Sequence, residues 1–200
     1  MFTDEEGKIA VKLARDSVEA AVKGVNLQPR ALPDTFKKKY GAFTTLKTFP
    51  NLLLRGCIGI PEPIMPLAKA VVESAVSACL NDPRFPPVQE YELDEIVVEV
   101  SLMTKPELIQ VSSPDEYLNK IKIGKDGLVL KGELNSGLLL PQVPVEWGWD
   151  VKRFLEAICE KSGLRKDCWK EKDIKLYRFQ AEIFHELSPY GEIKRMNMNE

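Results

Sequence analysis

The chain has one histidine, His185, in 200 residues, and only four cysteines, Cys57, Cys79, Cys159 and Cys168. No two cysteines are spaced as Cys-x-x-Cys, so zinc-ligand spacing is absent and no metal site is expected. Glycine-rich phosphate loops are missing too. GKDG, residues 124–127, is a tight-turn signal, because a P-loop needs its lysine after a longer glycine-bounded loop. There is no Gly-x-Ser-x-Gly elbow and no His-Glu-x-x-His helix. ATPase, serine-hydrolase and zinc-peptidase chemistry therefore lack their signatures. No apolar run approaches the roughly 20 residues that span a bilayer. The opening MFTDEEGKIA is acidic, where a signal peptide would be basic and then apolar. A formal net charge of −2 does not favour a strongly nucleic-acid-binding or membrane-surface protein. A cytoplasmic protein is the expectation, with reduced thiols favoured over two disulfides, which the sequence alone leaves open.

What is present suits a folded domain. Apolar residues make up 44% and charged residues 29% of the chain, enough to fill a core and too apolar for disorder. Thr3 and Glu6 form a capping-box pattern ahead of an apolar stripe at Ile9, Leu13 and Val18, with Gly24 as the stop. Two strands, 41–47 and 52–59, follow, joined by a turn at Pro50–Asn51. The three leucines at 52–54 read as the start of a buried strand. A helix is expected over Leu67–Leu80, with Pro66 suited to its first turn. EIVVEVSLMT, 95–104, alternates, placing Ile96, Val98, Val100 and Leu102 on one face and Val97, Glu99, Ser101 and Met103 on the other.

Ser113, Pro114 and Glu116 open a short helix. Short strands fill 121–143, with turns at Lys125–Gly127 and Asn135–Gly137. Asp150 is the expected N-cap of a helix ending at about Ser162 and Gly163, with Trp149 and Phe154 as a hydrophobic staple. Ile174–Phe184 reads as a strand with Tyr177, Phe179, Ala181 and Ile183 on its core face. The tail from Ser188 is polar and expected to be loose. Helices and strands mix without strict alternation, so the expected fold is α+β, with a mixed or mostly antiparallel sheet and flanking helices.

One stretch stands out for chemistry. In LLLRGCIG, 52–59, a strand period of two puts Arg55, Cys57 and Gly59 on one face and Leu54, Gly56 and Ile58 on the other. A cation beside a thiol favours the reactive thiolate, and Gly56 and Gly59 permit close approach of a backbone or ligand. Cys57 then reads as a nucleophile or ligand contact with Arg55 as an anion clamp, or else as a small buried thiol beside a structural arginine. NDPRFPPV, 81–88, is the second candidate. Asp82 and Arg84 pair with each other and Phe85 anchors the loop, or Arg84 reaches the rim of a site. His185 could serve Cys57 as a base, although a lone histidine at a strand end is more often structural. Glu186 is a separate candidate, as a general base or as an ion-pair partner of an arginine. RKDCWKEKDIKLYR, 165–178, interleaves cations with Trp169 and Tyr177, either as a nucleic-acid surface with stacking aromatics or as a solvated face.

Taken in order, GAFTTL (41–46), LRGCIG (54–59), DPRFPPV (82–88), EVSLM (99–103), GLLLPQV (137–143) and the WD-helix-KSGL block (149–164) resemble the AMMECR-type domain family. The resemblance covers residues 5–190, with 191–200 left as a flexible tail. It implies an α+β fold with a larger and a smaller lobe and an LRGCIG functional site. It implies no defined reaction and no known cofactor. It points to Memo-like or radical-SAM proteins as partners in prokaryotes. Two departures stand out: Thr44 replaces a common valine, and Ile60 replaces a small hydroxyl residue. His185 is not part of the family pattern. The site expected on these grounds comprises Cys57, Arg55 and Glu186 as catalytic groups, with Gly56, Gly59, Asp82 and Arg84 as ligand contacts.

Overall fold

The structure, a computed structural model, describes residues 2–196. The chain divides into two compact units, one running to Met103 and resuming at Glu182, the other covering Thr104–Ala181.

The first unit begins with α1 (Asp4–Lys23). The Thr3 hydroxyl accepts the Glu6 N–H while the Glu6 carboxylate accepts the Thr3 N–H, and Gly24 closes the helix at φ 66°. Both ends thus satisfy N–H or C=O groups a helix terminus otherwise strands. Strands β1 (Gly41–Thr48) and β2 (Leu54–Ile60) form an antiparallel hairpin, α2 spans Leu67–Leu80, and β3 (Ile96–Met103) pairs antiparallel with the other side of β1. One face of this sheet packs on the helices. Ala42, Leu46, Val98, Val100 and Leu102 join Ala10, Val11, Ala14, Leu67, Val71 and Ala75 in a single apolar core. The alternation read from β3 is therefore real, but all eight of its residues are buried, including Glu99 and Ser101.

The second unit holds β4 (Glu107–Leu108), α3 (Tyr117–Lys120), β5 (Asp126–Lys131), β6 (Ser136–Leu139), α4 (Val143–Glu146), α5 (Val151–Lys161) and the first part of β7 (Lys175–Glu186). β5 pairs antiparallel with β6 and β7, and β4 pairs antiparallel with β7. Asp150 caps α5 by accepting the Arg153 N–H at 2.7 Å. Phe154, Leu155 and Ile158 of that helix pack with Leu128, Leu130, Leu176 and Trp169. The last residues of β7 return to the first unit, where Phe184–Glu186 pair antiparallel with β8 (Ile193–Arg195). The antiparallel sheets with flanking helices make an α+β fold.

Several expectations change. Leu52, Leu53 and Leu54 are exposed at the hairpin tip, because the turn extends through Leu52 at φ 54° and β2 starts only at Leu54. The core face expected of β7 holds at Phe179, Ala181 and Ile183, which are buried, with Tyr177 half-buried, but the opposite face is buried near both ends as well. Leu176 enters the core of the second unit and Phe184 that of the first. The turn expected at Lys125–Gly127 falls two residues earlier, at 123–125, with Gly124 at φ 76° and β5 already under way at Asp126. Cys159 and Cys168 are not reduced thiols: they form a disulfide, both buried, across Cα atoms 6.0 Å apart. The chain turns at Ser162–Gly163 and returns Cys168 to the flank of α5. The segment after Ser188 is ordered as far as Arg195, whose guanidinium bonds Asp4 and Glu182; residues 197–200 of the expected tail lie outside the described residues. Among the described residues no helix is long and apolar enough to cross a membrane.

Candidate functional site

LRGCIG forms all but the last residue of β2, with Gly56 on the helix side of the sheet and Arg55, Cys57 and Gly59 on the other side. Gly56 is required by packing: a Cβ there would lie 2.2 Å from the Ala78 carbonyl oxygen of α2. Gly59 is also filled by protein, since its Cβ would lie 2.2 Å from the Phe43 ring. The aromatic ring of one strand thus covers the glycine of its neighbour, as cross-strand pairing allows. Neither glycine leaves an open approach of its own for a ligand.

Arg55 is committed to the protein. Its Nε and Nη2 donate to the two carboxylate oxygens of Glu92 at 2.7 and 2.9 Å, and Nη1 donates to the Pro86 carbonyl at 3.1 Å. Arg55 in turn holds the Glu92 carboxyl below its ordinary value. The anion clamp expected of Arg55 is thus already occupied by a protein carboxylate.

DPRF braces the backbone of Cys57. The Cys57 N–H donates to Asp82 Oδ2 at 2.8 Å, and the Cys57 carbonyl accepts from Arg84 Nη2 at 3.1 Å. Arg84 also grips Asp82 through Nε and Nη2 at 2.9 and 2.7 Å. Asp82 and Arg84 therefore stand where a further strand would pair, which shields this edge of the sheet. The Arg84 guanidinium, helped by the Cys57 and Arg84 backbone N–H groups, holds the Asp82 carboxyl well below the usual carboxylate range against the opposing effect of burial. Phe85 lies under both guanidiniums, with its ring centroid 5.9 Å from Arg55 Cζ and 5.6 Å from Arg84 Cζ. The Arg84 side chain is 53% exposed, against 2% for Asp82.

The side chain of Cys57 looks onto a polar row. In register, Cys57 pairs with Thr45 and Thr45 with Glu99, one residue from each of three adjacent strands. The Thr45 hydroxyl donates to the Cys57 sulfur at 3.3 Å. Glu99 is buried and accepts Lys47 Nζ at 2.8 Å. The field of Glu99 also reaches His185: burial pushes the imidazole pKa down, Glu99 pulls it up and Lys47 pushes it down. With strands about 4.8 Å apart, Cys57 and Glu99 are separated by about 10 Å. Cys57 is half-buried, whereas Cys79 is sealed in the helix-side core, where burial pushes its thiol up to about 11.

Cys57, Asp82 and Arg84 come together, and Arg55 sits beside them. Glu186 does not join them. It is buried against Arg15 of α1, whose Nε and Nη2 donate to its two oxygens, and it accepts the Val98 N–H at 2.9 Å. The ion-pair alternative raised for Glu186 is the arrangement seen, and its partner is Arg15. Trp169 is 3% exposed within the core of its unit, so the 165–178 run lacks that aromatic as a stacking platform. Thr45, Lys47 and Glu99 were missed as site residues. The alternation of β3 already placed Glu99 opposite the apolar face, a signal that could have found it. Among the described residues no three His, Cys, Asp or Glu side chains gather as a metal-holding group.

Comparisons with known proteins give matches that span these motifs. The AMMECR1 family profile matches residues 11–184. The chain is 53% identical over 193 residues to Protein MJ0810 of Methanocaldococcus jannaschii, covering 96% of each chain. It is 51% identical over 189 residues to a protein of Methanococcus aeolicus, covering 94% of this chain and 95% of that one. The crystal structure of the uncharacterized protein PH0010 from Pyrococcus horikoshii superimposes with a TM-score of 0.88 at 48% identity, covering 98% of each chain. With a profile match and relatives this similar along nearly its whole length, the chain belongs to the AMMECR1 family.

Proposed function

We propose that this protein is an enzyme or ligand-binding protein that acts at the sheet face carrying Cys57. The observation that supports this most is the polar row itself: a half-buried thiol bonded by Thr45, in line with a buried Glu99 and its Lys47 partner. Burying polar and charged groups is costly unless they are paired or used. Cys57 is the thiol contact or nucleophile. Arg84 is paired with Asp82 as Arg55 is with Glu92, but its guanidinium is the more exposed of the two, so an anion reaching this face meets Arg84 first. Gly56, Gly59 and Asp82 shape the strand and hold its backbone, and Glu186 acts through the stability of the unit.

Competitive alkylation by iodoacetamide, read by mass spectrometry on the folded protein, tests this reading. Cys57 should react well ahead of Cys79, and a ligand at the face should slow it. Equal protection of the two thiols would sink the proposal.

A second reading, a regulatory adaptor, draws on the hairpin tip. Phe49, Leu52, Leu53 and Leu54 are 40–64% exposed there, a local apolar patch of the kind that marks partner surfaces. Binding to a purified Memo-like or radical-SAM protein, abolished by Leu53→Glu with Cys57 left reactive, would favour it.

A further inference from the structure

The GKDG turn, which the Cys57 face leaves unexplained, borders a pocket of about 350 Å3 in the second unit. Lys105, Lys122, Lys125 and Arg178 line it, with Glu107 and Asp126. We propose that this pocket binds the phosphate group of a small phosphorylated ligand.

The charge balance is the first support. Four cations face two carboxylates, in a chain whose formal net charge is −2. One of those carboxylates is already used. Asp126 is 2% exposed and accepts the Lys122 N–H at 2.9 Å, while its own N–H donates to the Lys122 carbonyl, also at 2.9 Å. Its carboxylate holds the turn in shape, and even with its charge counted the four cations outnumber the two carboxylates. Gly124, at φ 76°, supplies the left-handed residue that lets the chain double back and present Lys122 and Lys125 to one pocket. The other carboxylate, Glu107, is the register partner of Arg178 in the β4–β7 ladder. Even so, Arg178 forms no ion pair among the described residues, and its Nη1 reaches only the Lys120 carbonyl at 3.4 Å. Lys105, Lys122 and Lys125 form no ion pair among the described residues either.

Like charges gathered in a concave site raise one another's energy and attract a counter-ion. A phosphate offers three acceptor oxygens and up to two charges, which suits one arginine fork and several ammonium groups. The volume lies at the small end of ligand pockets, which favours a small molecule. A nucleic-acid strand would call for an open groove with stacking aromatics, and Trp169 is not available for stacking.

Lys105, Lys122, Lys125 and Arg178 are all exposed, so replacing them should leave the fold intact. The test is calorimetric titration of the full chain with pyrophosphate at low salt, with unfolding midpoints as a check on folding. Wild type should bind, Arg178→Gln and Lys125→Gln should each bind about tenfold more weakly, and Lys12→Gln on α1 should bind as wild type does. The proposal is overturned by absence of binding at millimolar pyrophosphate, or by equal binding in all variants. It is also overturned if citrate binds as well as pyrophosphate, or if single-stranded oligonucleotides bind more tightly as they lengthen.

Discussion

The two faces of the β2-β1-β3 sheet are built from the same three strands and hold opposite chemistry. Toward the helices lie Ala42, Leu46, Ile58, Val98, Val100 and Leu102, with Thr44 paired to Ser74 at 2.8 Å. On the other face Thr45, Lys47, Cys57, Glu99 and Ser101 lie among the apolar Phe43, Val97 and Met103. The first face is a packing surface, and Arg15 and Glu186 beside it are fully satisfied by each other and by backbone groups. The second face is nearly as inaccessible at Thr45, Glu99 and Ser101, yet polar. Burial alone does not distinguish a core from a site; the chemistry of what is buried does.

Changes on the two faces should therefore differ in kind. The largest effect belongs to the helix side. Glu186→Ala leaves Arg15 buried and unpaired, and should cost about 3–5 kcal/mol in urea unfolding, with Cys57 reactivity preserved in the fraction still folded. A loss below about 1 kcal/mol would break the contrast.

The glycines sharpen it next. Gly56→Ala drives a methyl group into the Ala78 carbonyl and should destabilise by about 1–3 kcal/mol. Gly59→Ala meets only the Phe43 ring, which can swing aside, and should cost less. Equal losses in thermal melts would show that the polar face is packed as rigidly as the helix side.

Acid should act at the edge between the faces. Because Asp82 titrates below its ordinary value of 3.8 when folded, its contribution is complete above that value and is lost as the pH falls toward the folded value. Asp82→Asn should therefore lose less stability than wild type between about pH 4 and pH 2. Parallel curves from urea titrations at stepped pH would contradict this.

The smallest effect is on His185. Glu99→Gln removes the group that pulls the imidazole pKa up and should lower it further, whereas Lys47→Met should raise it. NMR titration of the single histidine reads both shifts. No movement would place His185 outside the polar row.

Much of the fold was legible because it is local. Thr3, Glu6 and Gly24 are read within one turn of the ends they cap, and Asp150 likewise. The split of β3 into two faces follows from a period of two. Errors came where local rules meet distant partners. Leu52–Leu54 looked like a buried strand, but the turn geometry left them outside. A period of two found Phe179, Ala181 and Ile183 of β7 but not Leu176 and Phe184 on its other face, because the two ends of the strand serve different cores. Cys159 and Cys168 gave no spacing signal for a bond that depends on where the chain returns after α5. In the site, LRGCIG and DPRF were visible as a pair of motifs, but their division of labour was not.

By itself the sequence determined the α+β class, the caps, the amphipathic strand and, through its ordered motifs, membership of the AMMECR1 family. All of these rest on periodicity and short spacing. Only the tertiary structure decided that Arg55 is held by Glu92, that Asp82 and Arg84 bind the backbone of Cys57, and that Glu186 answers to Arg15. It also decided that Lys105, Lys122, Lys125 and Arg178 share one pocket. Each of these pairs residues far apart in the chain, and which partner a charged side chain meets is set by strand register and loop path.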